Sequence, residues 1–196
     1  MSEPSGPLRI GILALQGDFD KHADAIRDAA AEPVPIRTKT GLETVDALIL
    51  PGGESSTMLR LLDYEHLFEP LRQFGKNKPI FGTCAGAILL AADVSHPQQA
   101  SLNLVDLSVQ RNGYGRQIDS RVAKIEVDGQ GTMEAVFIRA PVIRRVGAAV
   151  RVLARYDEMP VLVEEGRHLA ATFHPELTAD GRIHRYFVEK VRSGKN

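Results

Sequence analysis

The sequence has a single cysteine, Cys84, among 196 residues, which excludes an internal disulfide bond. One thiol fits a reducing compartment, and we expect a cytoplasmic protein. No apolar run approaches the length that crosses a bilayer, so we expect no membrane association. Residues 1–7 are polar, rich in Gly and Pro, and lack the apolar core of a signal peptide. We expect this terminus to be disordered or frayed.

An excess of charge of one sign is also lacking, because 24 basic and 25 acidic residues give a net charge of −1. Nucleic-acid-binding proteins usually carry a basic excess, so we expect no nucleic acid partner. One cysteine and scattered histidines provide no metal-ligand spacing, and we expect no metal site. Gly52-Gly53 is not a full phosphate loop, so nucleotide binding is weakly supported.

The apolar pattern predicts one α/β domain over residues 8–196, in three layers. As far as Ala92, apolar runs alternate with stretches of helical spacing, which favours a mostly parallel central sheet with helices on both faces. Later runs predict an antiparallel or mixed extension of the same sheet. A last helix is predicted over Gly181–Val191. The runs predicted as strands are Leu102–Val109, Arg121–Val127, Glu134–Ile138, Val150–Tyr156, Val161–Glu165 and His168–Phe173.

Two helix starts carry candidate caps. Asp18 precedes a predicted helix, and Ser55 or Ser56 precedes another. Short polar side chains at these positions accept hydrogen bonds from free backbone N–H groups in the first turn. We therefore predict that these side chains cap the two helices.

Cys84 lies in Gly82-Thr83-Cys84-Ala85-Gly86, between an apolar run and the Ala-rich stretch Ala85–Ala92. This pattern predicts a strand, a sharp turn and a helix with the thiol at the apex, as in the nucleophile elbow of hydrolases. The two glycines fit because a tight turn leaves little room for Cβ atoms. A helix N-terminus favours thiolate, the nucleophilic form. The alternative is a buried cysteine packed as a small hydrophobe.

Among the six histidines, His174 has the most useful neighbours. It follows a strand-like run and precedes Pro175-Glu176. In extended backbone, residues two apart project to the same side, so Glu176 can reach the His174 ring. Pro175 supports this conformation, because the residue before a proline is pushed away from helical geometry. We predict that Glu176 holds the tautomer of a basic His174, although the segment alone also fits a surface turn.

The other histidines are weaker candidates for a base. Asp24 is two residues from His22, but both lie in a predicted helix, where this spacing points to different faces. The remaining four are predicted on a helix surface, in a polar loop or without a carboxylate at a useful spacing: His66, His96, His168 and His184.

Pro51–Ser56 follows the apolar run Ala47–Leu50. Its two glycines allow the N–H of Gly53 to turn towards a reacting carbonyl, and with the N–H of Ala85 it would form an oxyanion hole. Alone, the segment also fits an ordinary Gly-Gly turn. The chain order of Gly-Gly turn, elbow cysteine and His-x-Glu is more specific than any one piece.

This order resembles the class I (triad) glutamine amidotransferases, in which a Cys-His-Glu triad hydrolyses the glutamine side-chain amide through a thioester and releases ammonia. Further segments look like the glutaminase subunits of pyridoxal 5′-phosphate synthase, the PdxT family, over nearly the whole chain. Those segments are Leu13–Phe19, Pro51–Ser56 (PGGESS), Gly82–Gly86 (GTCAG), Arg111–Gln117 (the RNxxGRQ pattern), Phe137–Pro141 and Thr172–Leu177.

The resemblance implies that Cys84 attacks the amide carbon, His174 moves the protons and Glu176 orients His174. The implied residues around glutamine are Gly52, Gly53, Glu54, Arg111, Ile138 and Arg139.

Glutamine has charged groups that suit this implied site. Its α-carboxylate suits an arginine fork, which Arg111 or Arg139 would provide. Its α-ammonium suits a carboxylate, which would be Glu54.

The resemblance also implies a synthase partner, in a large hetero-oligomer, which builds pyridoxal 5′-phosphate from ribose 5-phosphate, glyceraldehyde 3-phosphate and ammonia. Pyridoxal phosphate is then a product, and we expect no cofactor in this chain. Gln16-Gly17 ends the first strand, and a glycine there can flip its peptide cheaply. We predict that partner docking reorganises this segment and completes the oxyanion hole.

Three other functions fit parts of the pattern. A cysteine hydrolase or peptidase would share the elbow but has no need for Glu54, Arg111 and Arg139 together. A non-catalytic scaffold protein usually loses the nucleophile or the base, and this chain has both. A glutaminase of another pathway is disfavoured by the PGGESS and RNxxGRQ segments.

Overall fold

The computed structural model describes residues 6–113 and 120–194. Residues 1–5 of the predicted frayed terminus lie outside this range, as do Tyr114, Gly115, Arg116 and Gln117 of the RNxxGRQ segment. In the part of the chain that is described, no helix is both long and apolar enough to cross a bilayer.

The described residues form twelve β-strands and six α-helices, which alternate regularly in the first half of the chain. Short apolar runs form the strands, and stretches with apolar residues three or four apart form the helices. In chain order the elements are β1 (Arg9–Leu13), α1 (Phe19–Asp28), β2 (Glu32–Ile36), α2 (Lys39–Glu43), β3 (Ala47–Leu50), α3 (Ser55–Tyr64), α4 (Phe68–Asn77), β4 (Ile80–Thr83), α5 (Ala85–Leu90), β5 (Ala91–Ser95), β6 (Val105–Gln110), β7 (Ser120–Val127), β8 (Gly131–Ile138), β9 (Val142–Val146), β10 (Arg151–Tyr156), β11 (Met159–Glu165), β12 (His168–Ala171) and α6 (Arg182–Ser193).

Nine of these strands form one sheet, in the order β2-β1-β3-β4-β12-β11-β10-β7-β8. The pairs from β2 to β12 are parallel, whereas those from β12 to β8 are antiparallel. The parallel strands β3, β4 and β12 are buried along their whole length, because helices cover both faces. The predicted parallel sheet with an antiparallel extension is therefore confirmed.

Alternate residues of β3 pack against the helices on the two faces of the sheet. Ile49 packs in a core that includes side chains of α1 and α6. Leu48 and Leu50 point the other way, into a second core with side chains of α2, α3, α4 and α5. Burial of each such leucine or isoleucine contributes roughly 1.5–3 kcal/mol to folding.

The structure corrects the predicted extension in one respect. The run predicted as Leu102–Val109 becomes β6, which belongs to a separate three-stranded sheet, β5-β6-β9. The predicted helical stretch Ala85–Ala92 ends at Leu90, because the chain turns extended there and β5 pairs with β6. Neither α2 nor β9 was predicted, since both are five-residue elements too short for a clear period.

The predicted helix caps are wrong. Asp18 occupies the N-cap position of α1, but its side chain makes no capping hydrogen bond. Glu54, and neither Ser55 nor Ser56, caps α3, because its carboxylate accepts hydrogen bonds from the backbone N–H groups of Ser56 and Thr57. The carboxylate also carries the negative charge that a helix N-terminus favours.

Candidate active site

The carboxyl ends of four neighbouring parallel strands, β1, β3, β4 and β12, carry the segments singled out in the sequence. Gln16-Gly17 follows β1, Gly52–Glu54 follows β3, Cys84 follows β4, and His174 follows β12. In open α/β sheets this edge is where binding sites form, because the loops converge there. Strand order therefore unites residues that are far apart in sequence.

Cys84 lies at the predicted strand–turn–helix junction, between β4 and α5. Its backbone has φ 49° and ψ −104°, and its N–H donates a 2.8 Å hydrogen bond to the carbonyl oxygen of Ala171. A Cβ added at Gly82 would meet Gly86 at 2.5 Å, and one at Gly86 would meet the Leu50 carbonyl oxygen at 2.0 Å. The predicted steric need for glycine on both sides of Cys84 is confirmed.

The His174 ring lies beside Cys84 and contacts Glu176. His174 and Cys84 line the same cavity, and Nδ1 of His174 lies 2.8 Å from Oε1 of Glu176. Burial opposes a charge on this ring, but Cys84 and Glu176 outweigh that effect and raise the pKa of His174 to about 10.

The predicted contact between His174 and Glu176 is present, and His174 has the non-helical backbone expected before a proline, with φ −108° and ψ 87°, but the predicted extended backbone does not continue beyond it. Pro175–Leu177 forms a 3-10 turn where extended backbone was expected. The turn places the Glu176 carboxylate against the ring and keeps it almost fully buried, with 1% of the side chain exposed. The backbone N–H of His174 donates to the carbonyl oxygen of Val136 over 2.8 Å, which fixes the start of the turn to β8.

A cavity of about 200 Å³ opens beside Cys84. It is smaller than the roughly 300–1,000 Å³ of sites for drug-sized ligands, as suits a small substrate. Larger depressions, of about 760, 540 and 410 Å³, have no cysteine in their walls. The residues that line the cavity are Gly53, Glu54, Ser55, Cys84, Ile88, Arg111, Asn112, Ile138, Arg139, Pro141 and His174.

Two predicted site residues, Gly52 and Ala85, lie beside this cavity rather than in its lining. A Cβ at Gly52 would lie 2.4 Å from Cε1 of His174, so the ring occupies the space that a side chain would need. Ala85 is fully buried as the first residue of α5, where the backbone N–H has no partner within the helix.

Glu54 and Arg111 contact each other within the cavity wall. Oε1 of Glu54 lies 2.9 Å from a guanidinium nitrogen of Arg111, which also donates to the hydroxyl of Ser56. Burial raises the pKa of Glu54, but the hydrogen bonds from Ser56 and Thr57 together outweigh it and lower the pKa to about 2. Glu54 is therefore ionised and serves as a helix cap and an ion-pair partner.

Ile138 ends β8, Arg139 follows it, and both line the cavity. The Cys84 thiol lies 3.9 Å from the Ile138 carbonyl oxygen, and Arg139 has a positive φ of 42°. The left-handed backbone at Arg139 is uncommon for a residue with a side chain, and such conformations are concentrated at functional sites. Across residues 6–113 and 120–194, no three His, Cys, Asp or Glu side chains are arranged to share a metal ion.

Sequence reasoning missed two histidines behind the triad. His22 and His184 are fully buried, and their ring nitrogens Nδ1 and Nε2 lie 2.9 Å apart. His22 also approaches Glu176, with Nε2 3.4 Å from Oε2. His22 is far from Glu176 in sequence, so local spacing did not predict this contact. A local signal was present, because both stand among the apolar positions of amphipathic helices, beside Ala23 and Ile183.

A family comparison and a search of known proteins agree on the kind of protein that this chain resembles. The profile of the SNO glutamine amidotransferase family matches residues 12–193. The chain is 53% identical over 190 residues to the pyridoxal 5′-phosphate synthase subunit PdxT of Solibacter usitatus (strain Ellin6076), covering 93% of this chain and 99% of that protein. It is also 53% identical to the PdxT subunit of Frankia casuarinae (strain DSM 45818 / CECT 9043 / HFP020203 / CcI3), covering 96% and 97%.

Solved structures show the same architecture. A glutamine amidotransferase crystal structure superposes with a TM-score of 0.88 at 46% identity, covering 93% of this chain and 98% of the other. The crystal structure of a putative GMP synthase protein from Thermoplasma acidophilum gives a TM-score of 0.72 at 18% identity, covering 97% and 96%. At that identity the second match shows the fold alone.

Proposed function

Because this chain belongs to the SNO glutamine amidotransferase family, we propose that it hydrolyses L-glutamine to L-glutamate and ammonia with Cys84, His174 and Glu176, and that the ammonia serves pyridoxal 5′-phosphate synthesis. One observation carries the proposal. The elbow cysteine shares a small cavity with a histidine whose Nδ1 lies 2.8 Å from a buried carboxylate.

In the first half of the reaction, the sulfur of Cys84 attacks the amide carbon of glutamine. His174 takes up the thiol proton and gives a proton to the departing nitrogen, so the C–N bond breaks and a thioester remains. Glu176 accepts the Nδ1 hydrogen of His174 and leaves Nε2 for the reacting groups. In the second half, His174 activates water against the thioester, and glutamate leaves.

The negative oxygen of each tetrahedral intermediate needs hydrogen-bond donors. We assign this role to the backbone N–H groups of Gly53 and Ala85, which belong to segments that follow adjacent strands. Loss of one such donor typically reduces the rate by about a hundredfold or more.

The two ends of the glutamine backbone carry opposite charges. Glu54 would bind the α-ammonium, and Arg111 or Arg139 the α-carboxylate, while Gly52, Gly53 and Ile138 shape the site. The ion pair between Glu54 and Arg111 supports this assignment, because it fixes one negative and one positive group on the same wall. A zwitterionic amino acid matches such a pair of charges.

The proposed partner is the synthase subunit, in a large hetero-oligomer, and its docking would reorganise Gln16-Gly17. Two contacts support this idea. The side-chain amide of Gln16 donates to the carbonyl oxygen of Glu54 over 3.0 Å, and Gly17 has φ +86°. A shift of this segment would therefore reach the oxyanion segment directly.

Ammonia release from glutamine, with and without the synthase subunit, tests the function. Wild type should release ammonia and be stimulated by the partner, whereas Cys84→Ala and His174→Ala should lose at least about a thousandfold in kcat. His66→Ala, at an exposed histidine between α3 and α4, is the matched control and should keep wild-type activity. Ammonia release by Cys84→Ala at the wild-type rate would contradict the proposal.

A further inference from the structure

Glu176 has two carboxylate oxygens, and the triad accounts for one of them. Oε1 accepts from His174, but Oε2 is also buried and receives no hydrogen bond of good geometry from the described residues. The ring nitrogen Nε2 of His22 lies 3.4 Å from it. A buried carboxylate oxygen that accepts no hydrogen bond destabilises the folded protein. The group nearest to Oε2 therefore affects the stability of this carboxylate.

His22 is held at this position from three elements. It belongs to α1, its Nε2 also lies 3.3 Å from the hydroxyl of Thr83 at the end of β4, and its Nδ1 lies 2.9 Å from Nε2 of His184 on α6. Burial lowers the pKa of His22 well below its usual 6.5, and burial lowers that of His184 to about 4. Both rings are therefore neutral at pH 7, and each carries one hydrogen.

Hydrogen bonding selects one tautomer for the pair. If His22 carried its hydrogen on Nδ1, its Nε2 lone pair would face the Glu176 carboxylate, and the Nδ1 hydrogen of His184 would have no partner among the described residues. If His184 donates from Nε2 to Nδ1 of His22, the hydrogen of His22 lies on Nε2, the nitrogen that is 3.3 Å from the Thr83 hydroxyl and 3.4 Å from Oε2 of Glu176. The second pattern is preferred, because a buried N–H without an acceptor is rarer than a bare acceptor.

We propose that His22 is a positioning residue for glutamine hydrolysis, which holds Oε2 of Glu176 through its Nε2 hydrogen while His184 fixes its tautomer. The inference rests on the proposed function, since it acts through the triad. With the His174 ring on one oxygen and Nε2 of His22 3.4 Å from the other, both oxygens of the Glu176 carboxylate face an imidazole, which restricts its rotation. Its Oε1 then stays aligned with His174 during both proton transfers.

Two substitutions of His22 separate its contacts, and a third substitution, at another buried histidine, is the control. In His22→Asn the shorter amide reaches the place of Nδ1, keeps a partner for His184 and loses the contact to Glu176. In His22→Gln the longer amide places an N–H donor near the place of Nε2. His168→Asn is the matched control, because His168 is also buried, accepts from the N–H of Ile80 through Nδ1 and lies at the other end of β12.

Ammonia release in the presence of the synthase subunit gives kcat and KM for glutamine. His22→Asn should lose about 10- to 100-fold in kcat, as is typical when a group that orients a catalytic residue is removed, with KM little changed. His22→Gln should recover most of this loss, and His168→Asn should match wild type. Equal kcat in His22→Asn and His168→Asn, or no recovery in His22→Gln, would overturn the proposal.

Alkylation of Cys84 by iodoacetamide provides a readout that needs no glutaminase activity, because this is the only cysteine in the chain. The rate rises with the thiolate fraction, which depends on the charge of His174. His22→Asn should shift the pH profile of alkylation, whereas His168→Asn should not. If wild type releases no ammonia, the proposed function fails, and the alkylation profile still decides the role of His22.

Folding of each variant is checked by its thermal unfolding transition. Should His22→Asn not fold, His184→Asn replaces it, because loss of Nε2 there releases the tautomer of His22. We expect a smaller loss of kcat and an alkylation shift in the same direction. A wild-type alkylation profile in a folded His184→Asn protein would overturn the proposal.

Discussion

Cys84 combines a reactive side chain with an unfavourable backbone. Its φ of 49° is a value that residues with a Cβ rarely adopt, and the cost is of the order of 1–3 kcal/mol. The surrounding contacts maintain it, because β4 and α5 are buried on all sides and the glycines on either side allow close packing. The strained conformation holds the thiol at the apex of the turn, towards His174.

Replacement of Cys84 by glycine should therefore remove strain while it abolishes activity. We expect Cys84→Gly to be more stable than Cys84→Ala by about 1 kcal/mol, since relief of strain exceeds the entropy that glycine adds to the unfolded chain. Urea unfolding measures the difference.

The control is Ala87→Gly in the helical interior of α5, which should be destabilised by about 1 kcal/mol. If Cys84→Gly is less stable than Cys84→Ala, the turn carries no strain.

The connection between β1 and α1 shows how a short segment links two parts of the site. Gly17 has φ +86°, and a Cβ there would lie 2.1 Å from the carbonyl oxygen of Gly52. The side chain of Gln16 fills the space beside Gly53, where an added Cβ would meet it at 2.2 Å. The two connections are therefore packed directly against each other.

Gly17→Ala should disturb the packing of the β1–α1 connection against the segment that follows β3. The new methyl group collides with Gly52, so we expect stimulation by the synthase subunit to fall at least about tenfold, in line with the loss of an oxyanion donor. Ammonia release with and without the partner measures the effect.

Gly129→Ala is the matched control, because Gly129 also has a positive φ, of +68°, but open space around its Cβ position. Both variants have a similar backbone cost, and only Gly17→Ala alters contacts at the site. Full stimulation of Gly17→Ala would exclude a role for this segment.

At the scale of the whole molecule, three buried neutral histidines join the layers. His22 and His184 lie between α1, α6 and the sheet, and His168 accepts a hydrogen bond from the N–H of Ile80 at the edge shared by β12 and β4. Burial lowers the pKa of His168 to about 4, as it does for His184, and lowers that of His22 well below 6.5. In the folded protein each ring therefore stays neutral at pH 7, whereas in the unfolded chain it titrates near 6.5.

Stability should consequently fall in mild acid. Because the folded-state pKa values lie below the usual 6.5, the unfolded chain binds more protons, and stability present above pH 6.5 is lost as the pH falls towards about 4. Each histidine adds a slope of up to about 1.4 kcal/mol per pH unit. Urea unfolding between pH 5 and pH 8 measures this slope.

His168→Asn should reduce the slope of unfolding free energy against pH by the contribution of one histidine, since asparagine keeps an acceptor for Ile80 but does not titrate. An unchanged slope in this variant would show that His168 is already protonated in the folded protein.

Much of the site was predictable because its chemistry is encoded locally. The elbow around Cys84 needs small residues within two positions, and the contact of His174 with Glu176 spans one turn. The role of Glu54 as a helix cap was missed, because Ser55 and Ser56 compete for the same sequence signal. The turn at Pro175 was predicted as extended, since local sequence did not reveal the packing of His174 on β8.

The sequence by itself determined the elements that depend on neighbouring residues: the alternating strands and helices, the sharp turn at Cys84 and the His-Pro-Glu segment. Tertiary structure alone decided which side chains meet across the layers. Strand order places Gln16 against Glu54, and the packing of α1 and α6 places His22 behind Glu176. Backbone sterics act over a few residues, whereas contacts between layers depend on how the entire core packs.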